Sequence, residues 1–195
     1  CVQSAGKLPL PPADFIAVSA HKLGGPAGAG ALVVHRRDGF RATQKGGGQE
    51  QGYRGGTPNL LGAIGFAAAL AAHDGEAMAR AARLQQALET QAAALGGVVN
   101  GAAAARIPTI TSLHLPGVSA ATQLMALDMQ GIAVSQGSAC SSGTLKSSPT
   151  LAAMGLGAAA AQSLRISTGW ATTEADIAAF LAAWRPLAER ARRAA

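Results

Sequence analysis

Hydrophobic and polar positions fall into short blocks along this chain. Residues 14–20 (DFIAVSA) form an apolar run of strand length, which predicts a buried strand. A glycine-rich turn over 24–30 follows, and Ala31–His35 predicts a second strand. Residues 37–56 lose periodicity and carry GGG at 46–48 and GG at 55–56, so they read as loop. Thr57-Pro58 has the form of a helix cap followed by proline at the first helical position. The helical pattern runs from there to about Leu95, with a break near Asp74-Gly75, and Gly96-Gly97 ends it. Strand-like pieces near 98–100, 109–115, 132–135 and 163–168 then alternate with helix-like pieces at 119–130, 149–155 and 173–193. Thr173 to Asp176 opens the last helix in the manner of a capping box. Alanine-rich 157–161 reads as loop or helix edge, and no internal repeat is visible. Interleaved strands and helices predict an α/β or α+β architecture.

Composition narrows the picture. Of 195 residues, 49% are hydrophobic and 13% charged, which excludes a disordered chain. No apolar run reaches the roughly 18 residues of a membrane span, so no membrane association is expected. The formal charge is +6, but the basic residues are scattered or terminal (Arg185, Arg190, Arg192, Arg193) and a single tyrosine accompanies them. That pattern predicts a solvated basic surface rather than nucleic-acid binding. Two cysteines, Cys1 and Cys140, make no disulfide framework, which predicts a reducing, cytoplasmic compartment. The sequence opens on cysteine rather than methionine, no signal or transit peptide is expected, and CVQSAGKLPL reads as a chain already under way, a piece of something longer.

Four segments carry candidate chemistry. In SAHKLGGPAGAGAL (19–32) a strand delivers Ser19, His21 and Lys22 to its end, where ligands bind in open α/β sheets. The glycines would let backbone approach a ligand. A lysine there could join an aldehyde cofactor once partial burial helps it shed its proton. Ser19 and His21 project to one side and could both donate to a phosphate. A surface lysine beside a glycine turn accounts for the same residues. In GGGQEQGYRGGTPN (46–59) glycines precede Thr57 at a helix start, a setting that favours an anion, with Arg54 adding charge. A loop with an ordinary cap fits equally. In SQGSACSSGTLKSS (135–148) Cys140 sits among small residues that cannot pack a core, as suits an accessible nucleophile or a chance linker cysteine. In SLRISTG (163–169) Arg165 interrupts a strand and offers a fork for a carboxylate, or for a salt bridge.

The order of these segments resembles the cysteine desulfurases of the NifS/IscS type, members of the class V aminotransferase family. The likeness runs from about Val2 to Phe180 and covers what looks like the C-terminal half of such an enzyme. It implies a type I fold of pyridoxal-phosphate-dependent transferases, incomplete. Residues 1–80 would end the large cofactor-binding domain, and 81–195 would form the small C-terminal α+β domain carrying the cysteine loop.

The resemblance implies roles for single residues. Lys22 would carry pyridoxal 5′-phosphate as a Schiff base and shuttle protons. Ser19 and His21 would hold its phosphate, and Gln3 would hydrogen-bond the ring's phenolic oxygen. Thr57 would reach the phosphate of the neighbouring subunit's cofactor, which implies a homodimer. Arg165 would bind the carboxylate of L-cysteine. Cys140 would take the substrate sulfur as a persulfide, leaving L-alanine, and pass it to an iron–sulfur scaffold or other acceptor. The same cysteine would touch the nascent cluster, its only metal contact.

Departures accompany the likeness. Gln51 stands where the family usually has Arg, Gly55 where it often has Ser, and Ala27 where Lys is frequent. The family's ring-stacking histidine and the acidic partner of the pyridine nitrogen lie upstream of this sequence. The chain is therefore expected to be inactive by itself, and unstable, because a parallel sheet lacking its other strands exposes edges and apolar faces. The alternatives are another enzyme of this fold, such as a selenocysteine lyase, or an inactive degenerate paralogue.

Overall fold

The computed structural model describes residues 12–72, 75–137 and 148–194. The chain divides into two compact units, Cys1–Gly75 and Glu76–Ala195.

In the first unit, β1 (Phe15–Ser19) pairs antiparallel with β2 (Gly30–Val34), in register from Phe15↔Val34 to Ser19↔Gly30. A 3₁₀ turn, Ala20–Leu23, closes on Gly24 at φ +84°, a left-handed conformation that glycine adopts without a Cβ penalty. The loop after β2 is held by a chain of rings: Phe15 to Phe40 at 5.8 Å and Phe40 to Tyr53 at 5.2 Å between centroids. Helix α1 (Leu60–Ala71) follows. Its cap comes two residues later than Thr57-Pro58 predicted: Asn59 Oδ1 accepts from the Gly62 N–H at 2.9 Å. Asn outranks Thr as a cap, which decides between two neighbouring candidates.

The second unit begins with α2 (Gly75–Ala94), and the 80/81 domain boundary expected from sequence lies inside this helix. Gly96-Gly97 ends it as expected. Then come β3 (Val98–Val99), β4 (Ile110–His114), α3 (Ala120–Asp128), β5 (Ser135–Gln136), α4 (Pro149–Ala153), a 3₁₀ stretch Gly157–Gln162, β6 (Ser163–Ser167) and α5 (Glu174–Ala194). The four strands form one sheet in the order β3-β4-β6-β5. Every pairing among the described residues is antiparallel, not parallel as anticipated. For β1 and β2 the reason is length: residues 20–29 are too few for a parallel crossover, which needs roughly a dozen or more.

The second unit holds the core. Leu84, Leu88 and Ala92 of α2, Leu113 of β4, Leu127 of α3, Leu164 and Ile166 of β6, and Ile177, Phe180 and Trp184 of α5 interlock. Phe180 and Trp184 stack with centroids 6.2 Å apart. Gly97 is required here, because a methyl group on it would sit 2.7 Å from the Trp184 ring. The fully buried Gln123 is satisfied at both ends. It accepts from Trp184 Nε1 at 2.9 Å and donates to the Val118 and Gln162 carbonyls at 3.0 and 2.9 Å. Thr173 and Asp176 bond reciprocally at the start of α5, the expected capping box.

Candidate active site

Within the first unit, the 3₁₀ turn sorts its four residues by face. Ala20 and Leu23, three apart, are buried, which leaves His21 and Lys22 outside. Ser19 ends β1 beside them, and its Oγ lies 2.8 Å from His21 Nδ1. The convergence of Ser19 and His21 expected from their spacing is present, and the two groups also bond to each other. Lys22 is exposed rather than partly buried, because it occupies an outward position of the turn. Hydroxyl, imidazole and primary amine thus occupy three of four consecutive residues, a donor set that suits an anionic phosphate and an aldehyde together.

Among the glycines after Lys22, Gly25 packs against a helix, whereas Gly24 and Gly28 face open space. A methyl on Gly25 would meet Ala69 of α1 at 3.2 Å. On Gly62 it would meet Ala29 at 3.1 Å, and on Gly65 it would meet Pro26 at 3.0 Å. Gly62, Gly65 and Ala69 form one face of α1. Small residues on both sides let this helix lie directly on the turn that carries Lys22, so the space near Gly25 is filled by the helix.

The loop before α1 is tied down by its own backbone. Gly55 N–H donates to the Gln44 carbonyl at 2.8 Å, and a methyl on Gly55 would lie 2.5 Å from Gly46 N, so two limbs of the loop cross there. Gln49 Oε1 accepts from Gly56 N–H at 3.2 Å, and Arg54 Nη1 donates to the Gly56 carbonyl at 3.3 Å. Glu50 and Gln51 are consecutive non-glycine residues at φ +52° and +58°, a strained pair that the sequence did not announce. Thr57 is exposed in the segment between this loop and α1, not at the helix start.

Arg165 stands in the second unit. It lies on β6 between Ser112 of β4 and Ser135 of β5. The residue is half-buried, and its Nε is buried with no hydrogen-bond partner among the described residues. Thr168 Oγ1, three residues on, is in the same condition. Buried polar atoms normally find partners, and Arg106 Nε is likewise without one among the described residues. Gln3, Cys140 and Cys1 lie outside the described residues. Among the described residues, no group of three or more His, Cys, Asp or Glu side chains is placed to hold a metal ion, and no helix is long and apolar enough to cross a membrane.

Sequence reasoning missed one ionic cluster. Arg106 makes a two-pronged contact with Glu89 at 2.7 and 3.0 Å, and Thr111 Oγ1 donates to Glu89 at 2.8 Å. The Arg106 hydrogen bond holds the Glu89 carboxyl below its ordinary range, with Thr111 adding to it against the opposing effect of burial. Glu89 in turn raises Arg106. A lone Arg106 after an alanine run was the one available signal. His114 bonds to Gln162 at 3.2 Å.

The sequence profile of the family described as Aminotransferase class-V matches residues 4–180. Cysteine desulfurase 2 of Trichormus variabilis is 38% identical over 200 residues, which cover 98% of this chain and 50% of that protein. The IscS-like cysteine desulfurase of Mycobacterium tuberculosis is 40% identical over 208 residues, covering 100% of this chain and 52% of its own length. Among solved structures, a NifS-like protein from Rickettsia africae superposes with a TM-score of 0.81 at 31% identity, over 96% of this chain and 52% of that one. Another NifS-like protein superposes at 0.82 with 28% identity, over 97% and 51%. The chain spans about half the length of the curated relatives it matches.

Proposed function

The chain belongs to the class V aminotransferase family, in its NifS/IscS-type branch of type I fold with pyridoxal 5′-phosphate as cofactor, and from that premise we propose that it carries half of the machinery of a cysteine desulfurase. The observation that carries this reading is the turn at the end of β1, where Ser19 Oγ and His21 Nδ1 stand 2.8 Å apart beside the exposed Lys22 amine.

Lys22 Nζ anchors the cofactor and afterwards holds and releases a proton there. Ser19 Oγ and His21 bind its phosphate, and Gln3 bonds the ring oxygen. Thr57 serves the phosphate of a second subunit's cofactor, so the working enzyme is a homodimer. When bound, the cofactor supplies an electron sink for the substrate amino acid. Arg165 binds the carboxylate of L-cysteine, which its unsatisfied buried Nε supports. Capturing the carboxylate fixes the substrate's orientation before any bond changes. The Cys140 thiolate attacks the substrate sulfur, forming the S–S bond of a persulfide as the substrate's Cβ–Sγ bond breaks, and the freed Cβ takes a proton to give L-alanine. That sulfur passes to an iron–sulfur scaffold or another acceptor protein, and Cys140 is the one residue that meets the nascent cluster. The setting is cytoplasmic.

A chimera in which this chain replaces the corresponding half of the Anaeromyxobacter IscS relative tests the reading. Borohydride reduction is expected to label Lys22, and added L-cysteine to yield L-alanine with a persulfide on Cys140. Lys22→Ala should abolish the label, and Cys140→Ala should abolish the persulfide while leaving the label. Labelling of Lys45 instead of Lys22 would overturn it.

A further inference from the structure

Asn100 follows β3 directly and is buried, as is Ser163 at the start of β6. Burying such groups costs stability unless they find partners. Both amide hydrogens of Asn100 are used: Nδ2 donates to Ser112 Oγ at 3.0 Å and to Ser163 Oγ at 2.9 Å. The Ser163 hydroxyl gives its own proton to the Ala159 carbonyl at 2.6 Å. The Asn100 N–H also donates to the Ser112 carbonyl at 2.9 Å. One side chain thus ties β4 to β6.

The register gives this tie a purpose. Ser112 stands directly opposite Arg165 in the β4–β6 ladder, and Ser163 lies two residues before Arg165 on the same strand. Alternation along a strand puts these three on one face, while Leu113, Leu164 and Ile166 join the core from the other. On its other side Arg165 has only β5, a two-residue strand paired at Ser135↔Arg165 and Gln136↔Leu164. The backbone under Arg165 is therefore held chiefly from the β4 side, where Asn100 spans the two strands. Hydrogen bonds shielded from water in this way rigidify their surroundings.

We propose that Asn100 is a positioning residue for Arg165. By bridging Ser112 and Ser163 it fixes the stretch of β6 from which the guanidinium reaches the substrate carboxylate. It thereby sets the preference for an amino acid over an amine that lacks the carboxyl group. The role rests on the assignment of Arg165 to the carboxylate of L-cysteine, and Asn100 acts through the strand.

The test compares L-cysteine with cysteamine, which keeps the thiol and amine and lacks the carboxylate. Both are offered to the chimera described above in a Cys140→Ala background, where no persulfide forms, and binding is read from the cofactor's absorbance. The parent should prefer L-cysteine, and Arg165→Ala should abolish the preference. Asn100→Ala should reduce it about fivefold, the value of one net hydrogen bond, by weakening L-cysteine while cysteamine stays within about twofold. Ser112→Ala, a milder change that leaves Asn100 on Ser163, should act in the same direction to a smaller extent, and it carries the test if Asn100→Ala does not fold. Gly97→Ala, which presses on the core side of the sheet, should leave the preference unchanged. In the full 195-residue chain without cofactor, amide exchange of peptide 163–167 should quicken about tenfold in Asn100→Ala, and that of peptide 177–184 by less. Equal weakening of both ligands, an unmoved preference in both variants, or exchange at 163–167 no faster than at 177–184 would overturn the positioning role. A preference that survives Arg165→Ala, or a chimera that binds neither ligand, would overturn the carboxylate assignment and this role with it. An Arg165 effect without an Asn100 effect removes the positioning role alone.

Discussion

The two units use similar alanine-rich material to opposite ends. In the second, α2 and α5 carry charges along one side and apolar residues along the other, and the inner sides close over the sheet until Trp184 is fully buried. In the first, α1 carries no such division, and Ile16, Ala20 and Leu23 are the unit's only hydrophobic side chains buried among the described residues. An amphipathic helix completes its burial against one neighbour, whereas a helix apolar all round needs several. The second unit therefore supplies its own core, and the first waits for cover.

Mutations in the two units should separate them. Trp184→Ala should cost the second unit about 3–5 kcal/mol, because it opens a cavity and strands Gln123 Oε1. Urea unfolding followed by peptide-resolved amide exchange should show the loss in α2, α5 and the sheet while β1, β2 and α1 keep their rates. An equal loss in the first unit would end the distinction. Glu89→Gln should cost about 2 kcal/mol near neutral pH, by removing a charged acceptor from Arg106 and Thr111. Because the folded Glu89 carboxyl sits below its ordinary value of 4.5, its contribution is complete above that pH. It is lost as pH falls through the lowered folded value. Acid titration of the parent should show this loss, and Glu89→Gln should flatten it.

Smaller effects refine the picture. Gly97→Ala should destabilise the second unit by roughly 1–2 kcal/mol, since its methyl group presses on Trp184. Thermal unfolding of the full chain measures it, and a neutral result would mean that the ring has room to move. Asn59→Ala should remove about 1 kcal/mol from α1 alone. Its exchange should quicken there and nowhere in the second unit.

Much of the element pattern was legible in the amino-acid sequence. The apolar run 14–20, the Gly96-Gly97 stop, the capping box at Thr173 and the strand bearing Arg165 all act through neighbours a few residues away. The meeting of Ser19 with His21 was legible for the same reason, since two residues of extended backbone bring side chains to one side. The cap of α1 moved from Thr57 to Asn59 because adjacent candidates differ by less than a sequence pattern resolves.

Local backbone preference and hydrophobic period were thus enough to place most strands and helices and to put Ser19, His21 and Lys22 on one turn. Only the packed chain could show that Gly25 near Lys22 meets a helix, that Lys22 faces outward, that Glu89 meets Arg106, and that Arg165 Nε has no acceptor among the described residues. Those facts depend on contacts between segments far apart in the chain, whose geometry is set only when burial and hydrogen bonding are satisfied together.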